Sequence, residues 1–355
     1  MTSAHRRAQL SRRHLLALGA AAALPAACGR GPAADVGGPP AGTAPTVASS
    51  GAPPSGVSSS GAPGARPSAT PAPVRGGGGP VAFTPGAVLL GAYLDLRGKS
   101  LPESRALRRR QLGRDMALVH RFFRWDDDLR AAPELDDGTL MVSWRGTAYE
   151  RITDGSSDRL IAAAARRLAR RGDPVLLRWG WDMNRDFYSW GGADNARDTD
   201  GYVSAWRRLH RIFGEEGADN VSWVWSPHWR SRPDAEWNRP ARYYPGDRYV
   251  DWVGVSGYNV GGESPADLFQ DRYAEYAHRK PIIITEVAAV DRGDRTKAGW
   301  ITRFADWVRA HPAVGAVAWF DTDTHPGTDE KWRIDSDERA LAAFRAMADD
   351  PAFGG

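Results

Sequence analysis

The sequence predicts a single (β/α)8 barrel preceded by an export signal and a linker, and three observations in its 355 residues lead there. First, no aromatic residue precedes Phe83, so all 35 (15 Trp, 10 Tyr, 10 Phe) fall in the last 273 residues. A segment rich in Gly, Ala, Pro and Ser cannot bury enough apolar surface to offset its ordering entropy. The fold therefore belongs to the part after residue 82, whose length is natural for one α/β barrel and long for two domains. Second, short apolar or β-branched runs recur eight times in that part. Third, amphipathic stretches separate most of them, and strand-then-helix repeated eight times is the pattern of a closed parallel barrel.

In chain order the predicted strands are Ala87–Leu94, Met116–Phe123, Thr139–Trp144, Pro174–Trp179, Asn220–Trp225, Val250–Ser256, Pro281–Glu286 and Val314–Phe320. Several are almost continuously apolar, as parallel strands covered on both faces should be. Predicted helices are Ser157–Arg171, Asp200–Phe213, Pro265–His278, Arg295–Ala310 and Asp337–Met347. The second of these places Trp206, Leu209 and Phe213 at helical spacing. Arg124–Gly138 shows no helical pattern, so the second unit is expected to be irregular.

The first 28 residues read as an address. Ser11 to Leu16 is S-R-R-H-L-L, a twin-arginine pattern ahead of a 13-residue apolar run, Leu15–Ala27. That run is too short to span a bilayer and suits the apolar region of an export signal. Leu24 to Cys28, L-P-A-A-C, resembles a bacterial lipobox with its leucine one position early. Cys28, the single cysteine, is the expected point of lipid attachment; cleavage after the Ala-rich stretch and release is the alternative. Residues 29–82 are expected to be a disordered linker that lets an anchored domain reach away from the membrane. The expected location is the cell surface or the exterior.

Charge excludes one class of partner. The formal net charge is +4, but seven arginines against Asp35 give the first 82 residues +6 and leave −2 for the rest. A mildly acidic globular part has no electrostatic footprint for phosphate backbones, so no nucleic-acid partner is expected. No nucleotide-binding glycine loop and no HExxH pair occur, so neither a metal nor another cofactor is expected. A membrane contact is expected only through the lipid, and the chain is expected to be a monomer.

Two strand ends carry chemistry. In this fold the working face lies at the C-terminal ends of the strands. The fourth predicted strand runs into Gly180-Trp181-Asp182-Met183-Asn184, and the seventh ends on Glu286. A carboxylate after an apolar strand loses hydration unless it is paired or used. Two of them on strands four and seven face each other across the barrel mouth, which suits a pair flanking a glycosidic bond.

Arg178 to Gly191, R-W-G-W-D-M-N-R-D-F-Y-S-W-G, resembles the acid/base stretch of glycoside hydrolase family 26. Lys280 to Glu286, K-P-I-I-I-T-E, is similar to that family's nucleophile strand, and Tyr244 to Asn259 to its Y-P-G-D stretch; Trp225-Ser226-Pro227, Ala318 to Asp323 and Trp332 also fit. The resemblance implies a barrel of the 4/7 type and retaining hydrolysis of a β-linked polysaccharide, most often β-1,4-mannan, with xylan and mixed-linkage glucan as alternatives. It implies Glu286 as nucleophile and Asp182 as general acid/base. It further implies that Tyr258 holds the nucleophile, that Arg178 and Asn184 orient the pocket, and that Phe187, Trp190, Trp225 and Trp319 contact sugar.

The departures cluster around the point of cleavage. The family's glutamate is Asp182, its preceding histidine is Trp181, the glycine after Asn184 is Arg185, the next aromatic position holds Phe187 instead of tryptophan, and the acid two before the tyrosine is Ser256. Aspartate withdraws its carboxyl by about 1.5 Å, one C–C bond. Either the pocket is rebuilt for another glycan, or catalysis is weakened or lost and a glycan-binding protein remains.

Overall fold

The computed structural model describes residues 72–291, 296–325 and 331–354. The expected signal, Cys28 and linker residues 29–71 lie outside the described residues. Eight parallel strands close into a barrel in chain order, with the last paired to the first. They are β1 (Leu89–Asp95), β2 (Leu118–Phe123), β3 (Thr139–Trp144), β4 (Val175–Trp179), β5 (Val221–Trp225), β6 (Trp252–Asn259), β7 (Ile282–Ala289) and β8 (Val314–Thr322). Each of the eight predicted runs is a strand. β6 and β7 continue three residues beyond the predicted ends, and those extra residues form the mouth of the barrel.

The outer helices are α1 (Leu101–Leu112), α2 (Glu150–Thr153), α3 (Asp158–Arg171), α4 (Thr199–Glu215), α5 (Pro265–Tyr276), α6 (Lys297–Ala310) and α7 (Glu338–Asp349). α3 buries Ile161, Ala164, Ala165 and Leu168, a 3–4 spacing that lays one apolar stripe on the barrel. As expected, no α-helix links β2 and β3. α1 is absent from the sequence prediction because its inner face is Ser104, Arg108 and Leu112, too polar to register as amphipathic. Its local signals are strong: Ser100 and Glu103 form a capping box and Gly113 closes the helix at φ 75°. Arg108 is buried because it pairs with Asp321 on β8 at 2.6 Å and with Asp335 at 2.8 Å.

The linker boundary at residue 82 requires correction. Residues 74–83 close the floor of the barrel. The Val74 N–H donates to the Ala277 carbonyl at 2.7 Å, and the Val81 N–H to Ser222 Oγ at 2.8 Å. Trp252 Nε1 donates to the Gly78 carbonyl at 2.9 Å. Val81 and Phe83 pack with Leu118, Met141, Leu176, Val224 and Ile283, the apolar filling of the barrel. The glycines that suggested flexibility serve shape instead. Gly78 has φ 90°, and a Cβ there would lie 2.5 Å from the Val81 carbonyl oxygen and 2.9 Å from Trp252.

Candidate active site

At the opposite end the strands open into a cavity of about 710 Å³ whose lining includes Asp182, Glu286, Tyr258, Trp181, Phe122 and Phe320. Glu286 lies inside β7. Opposite Ser256 the β6–β7 register slips by one residue, from Val255 beside Ile284 to Ser256 beside Glu286. A bulge of this kind re-aims side chains next to it, and the intervening Thr285 turns to Ser226, hydroxyl to hydroxyl at 2.9 Å.

One guanidinium joins the two carboxylates. Arg178, on β4 and fully buried, donates from Nη1 to Glu286 Oε1 at 2.5 Å and reaches Asp182 Oδ1 from Nη2 at 3.5 Å. Glu286 Oε2 accepts the Tyr258 hydroxyl. Asp182 Oδ1 accepts the Ser256 hydroxyl at 2.5 Å. Beneath them Ser143 Oγ accepts from Arg178 Nη1 at 3.2 Å and contacts His120 Nε2 at 2.7 Å. Burial, with help from Arg178, holds His120 far below its ordinary pKa and therefore neutral.

Burial also sets the two acids. It raises the Asp182 carboxyl to about 6, against the opposing pull of Arg178 and the Ser256 hydroxyl. It raises Glu286 above the usual carboxylate range, against Arg178 and Tyr258, while the neighbouring Asp182 charge adds to the rise.

Asp182 stands in a turn past β4, with left-handed backbone at φ 53°. Aspartate tolerates that region better than most residues. The turn is fixed by the Asp182 N–H to the Ser226 carbonyl at 2.9 Å and the Arg185 N–H to the Asp182 carbonyl at 2.9 Å.

The structure brings Asp182, Glu286, Arg178 and Tyr258 into one cluster, and it puts Phe187 on the cavity rim, 57 % exposed. Three sequence-predicted sugar contacts, Trp190, Trp225 and Trp319, lie elsewhere, and Asn184 acts on the wall from behind. Asn184 is buried as a staple between loops: Nδ2 donates to the His228 carbonyl at 3.0 Å and Oδ1 accepts the His228 N–H at 2.9 Å. Trp190 lies behind the wall, its Nε1 on the Trp181 carbonyl at 2.7 Å and its ring stacked on Tyr188 at 4.3 Å. Trp225 packs outside the barrel against Tyr244 and Tyr276. Trp319 packs on Trp300 and Phe344 and donates to the Trp332 carbonyl at 2.9 Å; Trp332, not Trp319, lines the cavity. The physical reason is shared. A large ring on or beside a barrel strand is more often packing than lining, and indole N–H groups bind backbone carbonyls when buried.

Tyr93, Phe122, His228 and Trp229 also line the cavity, although no motif singles them out. Tyr93 and Phe122 lie near the ends of β1 and β2, and His228 and Trp229 just past β5, so strand-end position is the signal that marks them. His228 is held neutral, pushed down to about 3 chiefly by burial and then by Arg185.

The cluster can place one carboxylate against an anomeric carbon and offer a proton from the other. Endoglucanase H of Acetivibrio thermocellus is 31% identical over 253 residues, 66% of this chain and 27% of that protein. A mannan endo-1,4-beta-mannosidase of Bacillus subtilis is 28% identical over 177 residues, 44% of each chain. The beta-1,3-xylanase TXYA of a Vibrio species is 29% identical over 153 residues, 41% of this chain and 30% of that one. The chain thus spans less than half the length of each of these relatives. Among solved structures, the catalytic domain of a Bacillus endo-beta-1,4-mannanase superposes with a TM-score of 0.56 at 16% identity, covering 75% of this chain and 84% of that one. A Bacillus subtilis mannanase superposes with a TM-score of 0.54 at 20% identity, covering 74% and 85%. Both likenesses concern the fold. The family model described as glycosyl hydrolase family 26 matches residues 134–334, more than half of the chain, and the protein belongs to that family.

Proposed function

We propose that the protein is an exported retaining β-glycosidase that cleaves a β-linked polysaccharide, with Glu286 as nucleophile and Asp182 as general acid/base. The observation that carries this reading is the single buried guanidinium of Arg178 bonded to both carboxylates on the floor of a sugar-sized aromatic cavity. Glu286 attacks the anomeric carbon while Asp182 gives its proton to the departing glycosidic oxygen. The leaving sugar departs and a glycosyl-enzyme ester forms. Asp182, now a carboxylate, takes a proton from water, whose oxygen attacks the anomeric carbon and releases Glu286. A carboxyl group raised to about 6 is suited to carry that proton near neutral pH.

β-1,4-Mannan is the first backbone to test. The relatives carry names that speak of glucan, mannan and β-1,3-xylan, so xylan and glucan belong in the same panel. Export rests on the twin-arginine pattern and surface anchoring on Cys28; palmitate labelling lost in Cys28→Ala tests the anchor.

A second reading, glycan binding without turnover, is favoured by the shorter Asp182 side chain at the acid/base position, with Trp181 and Arg185 beside it. Reducing-sugar release from β-mannans, β-xylans and β-glucans decides between the two. Release that disappears in Glu286→Gln supports hydrolysis; saturable binding with no release from any backbone supports the second reading.

A further inference from the structure

Among the described residues, four arginines without an ion pair line the cavity, Arg145 past β3 and three others past β4 and β5. Arg185 follows Asp182 by three residues, and Arg230 and Arg232 follow β5. Among the described residues none of the three forms an ion pair. Arg185 is half-buried, and its Nε is enclosed with no hydrogen-bond partner. Its Nη1 makes only two long contacts, 3.4 Å to His228 Nδ1 and 3.4 Å to the Arg230 carbonyl. Its guanidinium stands 5.1 Å from the centre of the Phe187 ring, and that of Arg230 stands 4.5 Å from the centre of the Trp229 ring.

The acidic lining groups are already engaged. Asp182 and Glu286 share Arg178. Asp95 Oδ2 accepts the Tyr93 hydroxyl at 3.1 Å and the Thr324 hydroxyl at 2.5 Å. Glu263 Oε2 accepts the Val260 and Gly261 N–H groups at 3.2 and 2.8 Å. None of these acids forms an ion pair with Arg185, Arg230 or Arg232, so this unpaired positive group lies on the Asp182 side. Asn184 fixes it there, binding the His228 carbonyl and Ser231 Oγ while its own carbonyl accepts the Arg232 N–H at 2.9 Å.

A neutral sugar needs hydroxyl partners and flat rings; it does not need three like charges, whose mutual repulsion is a cost without an anion. A planar guanidinium with free N–H groups matches a carboxylate through two parallel hydrogen bonds. We propose that Arg185, Arg230 and Arg232 form a subsite for a uronic acid, on the leaving-group side of the bond that Asp182 protonates. This rests on the glycosidase reading, because only that reading makes the Asp182 side the leaving-group side.

The test uses the full chain carrying Glu286→Gln. Mannan, glucan and glucuronoxylan oligosaccharides are titrated calorimetrically in uronate-bearing form and after reduction of their carboxyl groups to alcohols. The expected result is binding about tenfold tighter for the uronate form of at least one backbone, the size of one charge-assisted hydrogen bond. That preference should vanish at high salt and on adding Arg185→Gln, and shrink with Arg232→Gln. Equal binding of the two forms on every backbone, absence of binding to all, or a preference that survives both arginine changes overturns the subsite. Turnover by the unmodified chain separates the two readings. A uronate preference without bond cleavage sinks the hydrolase and its leaving-group assignment and keeps the arginines as a uronate site, and cleavage with no preference keeps the hydrolase and sinks the site.

Discussion

The ends of β7 and β4 present the same chemical group under different restraint. Glu286 sits within a strand that runs on to Ala289, and both of its oxygens are clamped, one by Arg178 and one by Tyr258. Asp182 sits past the end of its strand in a left-handed turn, and Oδ1 alone takes both Ser256 and Arg178. Both carboxyls are desolvated and share one cation, so burial does not distinguish them. The difference lies in freedom. A nucleophile benefits from a fixed approach to carbon, whereas an acid/base must keep one oxygen available to exchange a proton with two different partners in turn.

The largest effect that tests this comparison comes from the clamped end. Glu286→Gln keeps the shape and the Arg178 contact but cannot form the ester. The expected loss in kcat is on the order of 10⁴-fold or more, with the melting temperature within a few degrees of the parent. Residual turnover within tenfold of the parent would remove Glu286 from the role.

The next effect is at the looser end. Restoring the glutamate usual in this family, Asp182→Glu, is expected to lower kcat/KM about 100-fold, the cost of roughly 1 Å of misplacement. Another methylene displaces the carboxyl from the position at which Oδ1 takes the Ser256 hydroxyl at 2.5 Å, and glutamate is less at ease at φ 53°. Adding Ser256→Gly removes that hydroxyl and should recover at least tenfold in steady-state assays on an aryl glycoside. A gain from Asp182→Glu alone would show that the pocket was not rebuilt around aspartate.

Sequence pattern reached the barrel and the two acids because both depend on strand periodicity, which parallel strands buried on two faces write almost continuously. It reached Arg178 and Tyr258 through motif. It missed α1 because a buried arginine paired to Asp321 looks like surface in one dimension. It misread Gly77 to Gly79 as linker, because positive-φ glycines in a packed turn and in a flexible chain look alike in sequence. Asn184, Trp190, Trp225 and Trp319 carry family-like motifs, yet each spends its polar atoms on backbone groups that hold the walls, Asn184 with Ser231 Oγ in addition. Which face of a strand end a ring occupies is settled by its packing partners, Tyr244 and Tyr276 for Trp225 and Trp300 and Phe344 for Trp319, and these are distant in sequence.

A smaller effect concerns pH. Asp182 must be protonated to act first as acid, so kcat/KM is expected to fall as pH rises through about 6. The Ser256 hydroxyl stabilises the carboxylate form. Ser256→Ala should therefore shift this alkaline limb upward by about one pH unit, taking a hydrogen bond to a charged group at the low end of its usual strength. The acidic limb, set by Glu286, should move less, because Ser256 hydrogen-bonds Asp182 and not the Glu286 side chain. Limbs that move together would mean that the two acids titrate as an undivided pair.

The smallest effect is on stability, and its sign follows from the same group. The Asp182 carboxyl is raised in the folded chain from 3.8 to about 6, so between those values the folded state holds more proton than the unfolded one. Its contribution is fully present below about pH 3.8 and is lost as pH rises through about 6. Asp182→Asn removes this loss, since a neutral amide needs no charge desolvated and Arg178 keeps Glu286 as its partner. Thermal melts at pH 5 and pH 7 should show Asp182→Asn gaining on the parent at the higher pH, while the same variant loses about 10²- to 10⁴-fold in turnover. A site whose acid is held against its own hydration should become more stable when that acid is neutralised. If the variant melts lower at pH 7, the Arg178 contact outweighs desolvation, and Asp182 is a structural ion-pair partner, not a poised proton donor.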